Sequence, residues 1–214
     1  MTHVVLTGEL HVGKTTVCRA VVDLARERGH SVRGILTTTV MDEAGQRLGF
    51  RLLNLATAEQ RDLARLDRDY GGPTPKRGDA VPSVGPFHFD PEVLQWGYDI
   101  VAQAIATGCD LLVVDEIGRL ELEQNTGFSR VLDLLATEGV RSDPAGRGTA
   151  GVQRMAGHHL LVVRRSLLPA LRQRLAALEF VTFEVTVGNR DNLASQIVER
   201  LFPCLALDAS AQGD

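Results

Sequence analysis

The chain is poor in the features that would place it outside the ordinary soluble globular proteins. It has three cysteines, Cys18, Cys109 and Cys204, and no two of them form a C-x-x-C pair. A disulfide framework and a zinc site are therefore not indicated, and the thiols read as buried and reduced in a cytoplasmic protein. No stretch approaches the eighteen or so apolar residues of a membrane helix. The start, MTHVVLTGE, lacks a basic segment and a long apolar run, so no signal peptide is expected there. Basic charge is not in excess either: the net charge is -4. Such a chain has no general pull toward nucleic acid or anionic lipid, so neither is expected as a partner. Any recognition of phosphate must come from a local site.

What is present is a soluble mixture, 44% hydrophobic and 23% charged over 214 residues, enough to bury a real core. The opening segment VVLTGELHVGKTT sets the main question. Val4 to Thr7 reads as a short strand ending in Gly8, and from Lys14 the apolar residues Val17, Val21 and Leu24 recur at helical spacing. Between them, Gly8-Glu9-Leu10-His11-Val12-Gly13-Lys14-Thr15 fits the pattern G-x-x-x-x-G-K-[ST], followed by Thr16. The pattern has a physical basis. Main-chain amides must curl around an anion, glycine permits the bends, and the helix that follows points its positive end at the phosphates. Lys14 would add a point charge on the β and γ oxygens, and the Thr15 hydroxyl would ligate Mg²⁺. His11 stands where many such loops carry glycine. It reads as a solvent-facing side chain tolerated at the bend, with a phosphate contact as the other reading.

Further along, VRGILTTTV (32–40) and RLGFRLLNL (47–55) read as a hairpin and residues 57–70 as a helix. A Pro/Gly-rich loop over 71–86 and a short strand FHF follow. A helix then runs to a stop at Gly108, with Asp90 as N-cap and Pro91 at its first position. DLLVVDEIG (110–118) is a continuous apolar run closed by two acids, as in a parallel strand covered on both faces. Helices near 127–138, 166–177 and 190–202, strands over 160–163 and 180–187, and a Gly/Arg-rich segment at 139–159 that reads as mobile complete the pass. Strands alternating with helices imply one α/β domain over residues 1–206, with a mostly parallel sheet and a frayed tail at 207–214. Right-handed crossovers would bring the loop after Thr7 and the acids after Val114 to one sheet edge, where such sheets bind ligands.

At that edge Asp115 suits a Mg²⁺-orienting carboxylate, and Glu116, directly after it, suits the group that orients or deprotonates an attacking water. Glu121 reads either as support for the metal site or as part of a solvated acidic loop with Glu123. Transition-state charge usually calls for an arginine, and Arg119, Arg154, Arg164, Arg165 and Arg190 are candidates that periodicity does not separate. Asn189-Arg190-Asp191-Asn192 opens the last helix with Asn189 as N-cap. It approaches the guanine-reading N-K-x-D pattern, but Asn192 stands in the aspartate position, so guanine selectivity is not expected.

Four segments in order, TGELHVGKTT, RLGFRLLNL, LLVVDEIGRLELE and VTVGNRDNLASQIVERL, together resemble the small nucleoside-triphosphatase family of thermophile and cancer-related NTPases. The resemblance implies a P-loop three-layer α/β sandwich with a β-hairpin insertion. It also implies slow, Mg²⁺-dependent hydrolysis of several nucleoside triphosphates, ATP and GTP among them. It carries the loop function to Gly8, Gly13, Lys14, Thr15 and Thr16, and the acidic strand end to Asp115 and Glu116. The family's later glutamate falls on Glu121 and its NRD on Asn189, Arg190 and Asp191. Two departures stand out: Glu9, Leu10 and His11 replace a Pro-Pro-Gly type loop, and segment 139–159 looks inserted. The residues also admit a kinase that passes the γ-phosphate to a small metabolite acceptor, or a nucleotide-dependent switch. Base preference and oligomeric state are not encoded in any motif found.

Overall fold

The computed structural model describes residues 1–66, 82–141 and 157–203. The first unit is β1 (Thr2–Gly8) followed by α1 (Lys14–Glu27). Next come β2 (Val32–Met41), β3 (Arg47–Asn54), β4 (Gln60–Leu66), β5 (Ser83–Val84) and β6 (Phe87–Phe89). Then α2 (Pro91–Thr107) leads into β7 (Leu111–Ile117), α3 (Arg119–Leu122), α4 (Ser129–Arg141) and β8 (His158–Val163). The chain ends through α5 (Leu168–Arg174), β9 (Phe180–Val185) and α6 (Arg190–Leu201).

The strands form one sheet of order β5-β6-β4-β3-β2-β7-β8-β1-β9. It is mixed rather than mostly parallel. β2, β7, β8, β1 and β9 run parallel, while β3, β4, β6 and β5 extend one side as antiparallel neighbours. The expected hairpin is the start of this extension. Two apolar layers cover the two faces. On one, Val17, Val21 and Val22 of α1 and Ile197, Val198 and Leu201 of α6 pack on Val4, Leu6, Leu111 and Val113. On the other, α2, α4 and α5 contribute Val101, Val131, Leu135 and Leu171 against Val5, Leu112, Val114 and Leu161. Alternating residues of β1 and β7 therefore serve opposite layers, which is why these strands read as unbroken apolar runs. Among the described residues no helix is long and apolar enough to cross a membrane.

The helix expected over 57–70 is not found where the chain is described. Residues 60–66 are β4, paired with β3. Its register places Phe50 opposite Ala64 and Arg51 opposite Asp62, so Leu63 is an extra residue at a bulge. The consecutive burial of Leu63 and Ala64 breaks the strand's alternation, and helix-forming residues did the rest. The antiparallel pairing, with Arg51 Nε donating to Asp62 at 3.0 Å, overrides that local preference. Most of the 71–86 loop, most of segment 139–159 and the 207–214 tail lie outside the described residues. α2 starts as expected: Asp90 Oδ1 accepts the amides of Glu92 and Val93, and Pro91 sits in the first turn. Cys18 and Cys109 are buried, as expected; Cys204 lies outside the described residues.

Candidate functional site

The loop between β1 and α1 is built on two unusual backbone positions. Gly8 has φ 153°, and a Cβ there would lie 2.8 Å from the Val185 carbonyl oxygen. Gly13, immediately before α1, has φ 101°. L-residues are strained at both, so the glycines are what lets the loop turn its amides inward. Lys14 opens the helix, and its ammonium donates to the carbonyls of Gly8 (3.1 Å) and Glu9 (2.6 Å), spanning the loop. Val12 tucks against the α1 layer, whereas Glu9, Leu10 and Thr16 are exposed. Arg190, first residue of α6, brings its Cδ to 3.8 Å from the place a Gly13 Cβ would occupy. Its Nε lies 3.6 Å from Asp191.

Two strands away, Asp115 is 1% exposed and its Oδ2 accepts the Thr37 amide at 3.2 Å. Its orientation depends on a bulge. Val114 pairs with Leu161 and Ile117 with Val163, so Asp115 and Glu116 together face one residue of β8. Val114 and Ile117 consequently pack in the same layer, although strict alternation would separate them. Asp115 acts electrostatically on α1: burial chiefly, and the Asp115 charge next, push the Cys18 thiol well above its ordinary range. Glu116 is placed at this bulge by its backbone in β7.

A cavity of about 220 Å³ joins these elements. Gly13, Lys14, Thr15 and Thr16 line it from the loop, Asp115 from β7, Thr37 and Thr39 from β2, and Arg47 and Phe50 from β3. Arg164, just beyond β8, completes the wall. The side-chain hydroxyl of Thr37, 3% exposed overall, and the Nε of Arg47 are buried without a hydrogen-bond partner among the described residues. The donor set suits a hard cation. Magnesium prefers one or two carboxylates together with substrate phosphates and water over an all-protein cage. Thr15 and Asp115 offer such a set, and no group of three acids, histidines or cysteines exists among the described residues to hold a metal alone.

Other expectations resolve differently. Glu121 is neither solvated nor turned to the loop. It is 5% exposed, and its carboxylate accepts the amides of Gly118 (2.8 Å) and Phe128 (2.9 Å), tying α3 to the start of α4. Asn189 occupies the position before α6 but does not cap it. Its side chain accepts the Thr186 amide (2.8 Å) and donates to the Glu184 carbonyl (2.9 Å), closing the turn after β9. His11 is exposed at φ 62°, with Nε2 3.0 Å from Arg47 Nη2. Of the arginine candidates, Arg164 lines the cavity, Arg165 pairs with Glu184 (2.9 Å), Arg119 lies 3.8 Å from Glu123 and Arg154 is outside the described residues. Arg47 was missed. Its one sequence signal is its place at the start of a strand after the DEAGQ turn, which says nothing of the loop it reaches.

The sequence model of the NTPase family matches residues 3–141. Nucleoside-triphosphatase THEP1 of Methanosarcina barkeri is 32% identical over 203 residues, covering 94% of this chain and 97% of that protein. The protein of the same name from Methanopyrus kandleri is 29% identical, with 95% and 97% covered. Among solved structures, a human cancer-related nucleoside triphosphatase superposes with a TM-score of 0.63 at 25% identity, over 94% of this chain and 98% of that one. THEP1 from Aquifex aeolicus shares the fold, with a TM-score of 0.62 at 21% identity and 94% and 99% covered. By the span of the sequence match and the whole-chain likeness to these relatives, this chain belongs to the NTPase family.

Proposed function

We propose that the chain hydrolyses nucleoside triphosphates to diphosphates and phosphate in a Mg²⁺-dependent reaction at the β1–α1 loop. The observation that carries this reading is the convergence of Gly13, Lys14, Thr15 and Thr16 with buried Asp115 on one cavity. The amides of the loop from Gly8 to Thr16 and the start of α1 bind the β and γ phosphates, and Lys14 exchanges its two carbonyl partners for phosphate oxygens. Thr15 and Asp115 would hold the magnesium ion, which when bound neutralises charge on the β and γ oxygens. Asp115 is kept in place by the Thr37 amide. Glu116 orients the attacking water. Arg47 and Arg164 bring positive charge to the cavity wall, and Arg190 lies on the other side of the loop, where the sugar and base emerge. Catalysis of this kind is mainly positioning and charge stabilisation.

The same reading makes the enzyme a cytoplasmic protein acting on free nucleotides, with no nucleic-acid or membrane partner. Phosphate release from ATP, GTP, CTP and UTP, each with and without Mg²⁺, tests it. Release from several of the four, only with the metal, is expected. Release unaffected by chelation would remove Asp115 and Thr15 from their roles. No release from any of them would overturn hydrolysis as the activity.

A further inference from the structure

A second cavity, about 180 Å³, opens from the first. The two share Leu10, Thr37, Arg47, Phe50 and Arg164. Beyond that shared wall the lining turns apolar: Phe87 and Phe89 of β6 stand beside Phe50, with Phe50–Phe87 ring centres 5.1 Å apart and edge-on. Phe128 and Leu63 close the far side. The acid in the lining, Glu121, directs its oxygens to the Gly118 and Phe128 amides, and the basic groups in the lining are Arg47, Arg119 and Arg164.

Strand order says which end of a nucleotide this cavity meets. From β1, the path through β8 to β7 leads to Asp115, then to Thr37 on β2 and Arg47 on β3. Arg190 follows β9, on the opposite side of β1. A triphosphate whose metal-bound end lies at Asp115 therefore points its γ-phosphate toward the second cavity and its base away from it. At the junction sit two of the buried side-chain polar atoms that lack a hydrogen-bond partner among the described residues, Thr37 Oγ1 and Arg47 Nε. Leaving such atoms unmatched costs free energy that a bound hydroxyl would recover, by accepting from the Arg47 N–H and sharing a hydrogen bond with Thr37.

From this we infer that the second cavity binds a one-ring aromatic or alicyclic alcohol, and that its hydroxyl accepts the γ-phosphoryl group. An apolar cavity of about 150 Å³ takes a benzene ring, so the size fits a single ring. The inference rests on the nucleotide reading of the first cavity. In the transfer, the acceptor oxygen forms a bond to the γ-phosphorus while the bond from that phosphorus to the β–γ bridging oxygen breaks. The hydroxyl proton leaves to solvent, and the products are a phosphate monoester and the nucleoside diphosphate. With the cavity empty, water takes the acceptor's place and the reaction is hydrolysis.

The test uses a panel of phenols, benzylic alcohols and cyclohexanols, with binding read by saturation-transfer NMR and titration calorimetry without nucleotide. Transfer is then read as label from γ-³²P-ATP moving into organic phosphate. At least one compound is expected to bind, to lose tenfold or more in affinity in Val84→Trp, which fills the cavity mouth, and to take label at the expense of inorganic phosphate. Folding of the variant is checked by its circular dichroism and melting, and Val84→Ala, which cannot obstruct the mouth, should retain binding. If nothing on the panel binds while Mg²⁺-dependent phosphate release is normal, the hydrolase reading stands and this inference falls. It also falls if binding is indifferent to Val84→Trp, or if a bound compound never takes label from an enzyme that hydrolyses ATP. Compounds that bind and respond to Val84→Trp in a chain inactive toward every nucleotide would support the cavity and sink the nucleotide reading instead.

Discussion

The two halves of the sheet do different work. The parallel half, β2-β7-β8-β1-β9, is covered on both faces and supplies the β1–α1 loop and Asp115. The antiparallel half, β3-β4-β6-β5, supplies no part of the loop, yet it sends Arg47 and Phe50 into the same cavity and walls the second one with Phe87 and Phe89. Under the proposed function the grip on phosphate would reside in one half, and the shape of whatever meets the γ-phosphate in the other. Substitutions at the site residues of the first should cut turnover; those in the second should alter what is turned over and how tightly it is held.

The largest effect expected is that of Lys14→Ala. Removing the one ammonium that spans the loop should cut phosphate release by about 10²–10³-fold, with an unchanged circular-dichroism spectrum. Near-normal release would detach the parallel half from catalysis. Asp115→Asn comes next, with a loss of at least about tenfold and a raised Mg²⁺ requirement in a metal titration. The amide keeps an oxygen for the Thr37 N–H, so the melting temperature should fall less than the rate.

These parallel-half residues were the ones legible in the sequence. A Gly-bounded loop between an apolar run and a helical period, and two acids closing a second apolar run, are local signals that survive without knowledge of neighbours. The antiparallel half was only partly legible. β4 carries helix formers and a bulge at Leu63 that hides its alternation, so its strand character comes from pairing with β3 and β6. The bulge at Asp115 and Glu116 was invisible for the same reason: it is a mismatch with β8, not a property of β7 alone. Arg47 reaches the cavity through the sheet's folding, which no spacing along the chain records. Glu121, read either as metal support or as a solvated acid, and Asn189, read as an N-cap, show the converse: the fold uses both to satisfy other backbone amides.

Arg47→Ala tests the other half. It removes a guanidinium from the wall shared by both cavities, so KM for the nucleotide should rise by about three- to tenfold, the net scale of one ordinary hydrogen bond, with a smaller change in kcat. A change in kcat as deep as that of Lys14→Ala would erase the distinction between the halves.

The core sharpens the comparison through stability. Leu112→Ala in β7, fully buried among the α2 and α4 layer, should cost about 2–5 kcal/mol in a denaturant titration. Val84→Ala in the short, half-buried edge strand should cost under about 1 kcal/mol.

The smallest effect is one of pH at the far end of β1. His3 stands with Nδ1 3.0 Å from that of His159. Burial first, then the charges of His159, the N-terminus and His158, lower its pKa from 6.5 to about 4. The folded chain keeps this ring neutral where the unfolded chain protonates it, so the unfolded state binds more protons across that window. Stability should therefore fall as pH drops from about 6.5 toward 4. The slope should be shallower in His3→Gln, while phosphate release per folded molecule stays as in the parent.

The most direct test of the central claim is a crystal structure with Mg²⁺ and a non-hydrolysable ATP analogue. The β and γ phosphates are expected against the amides of Gly13, Lys14 and Thr15, the metal between Thr15 and Asp115, and the adenosine on the Arg190 side. Triphosphate density in any other cavity, or a metal with no approach to Asp115, would contradict it.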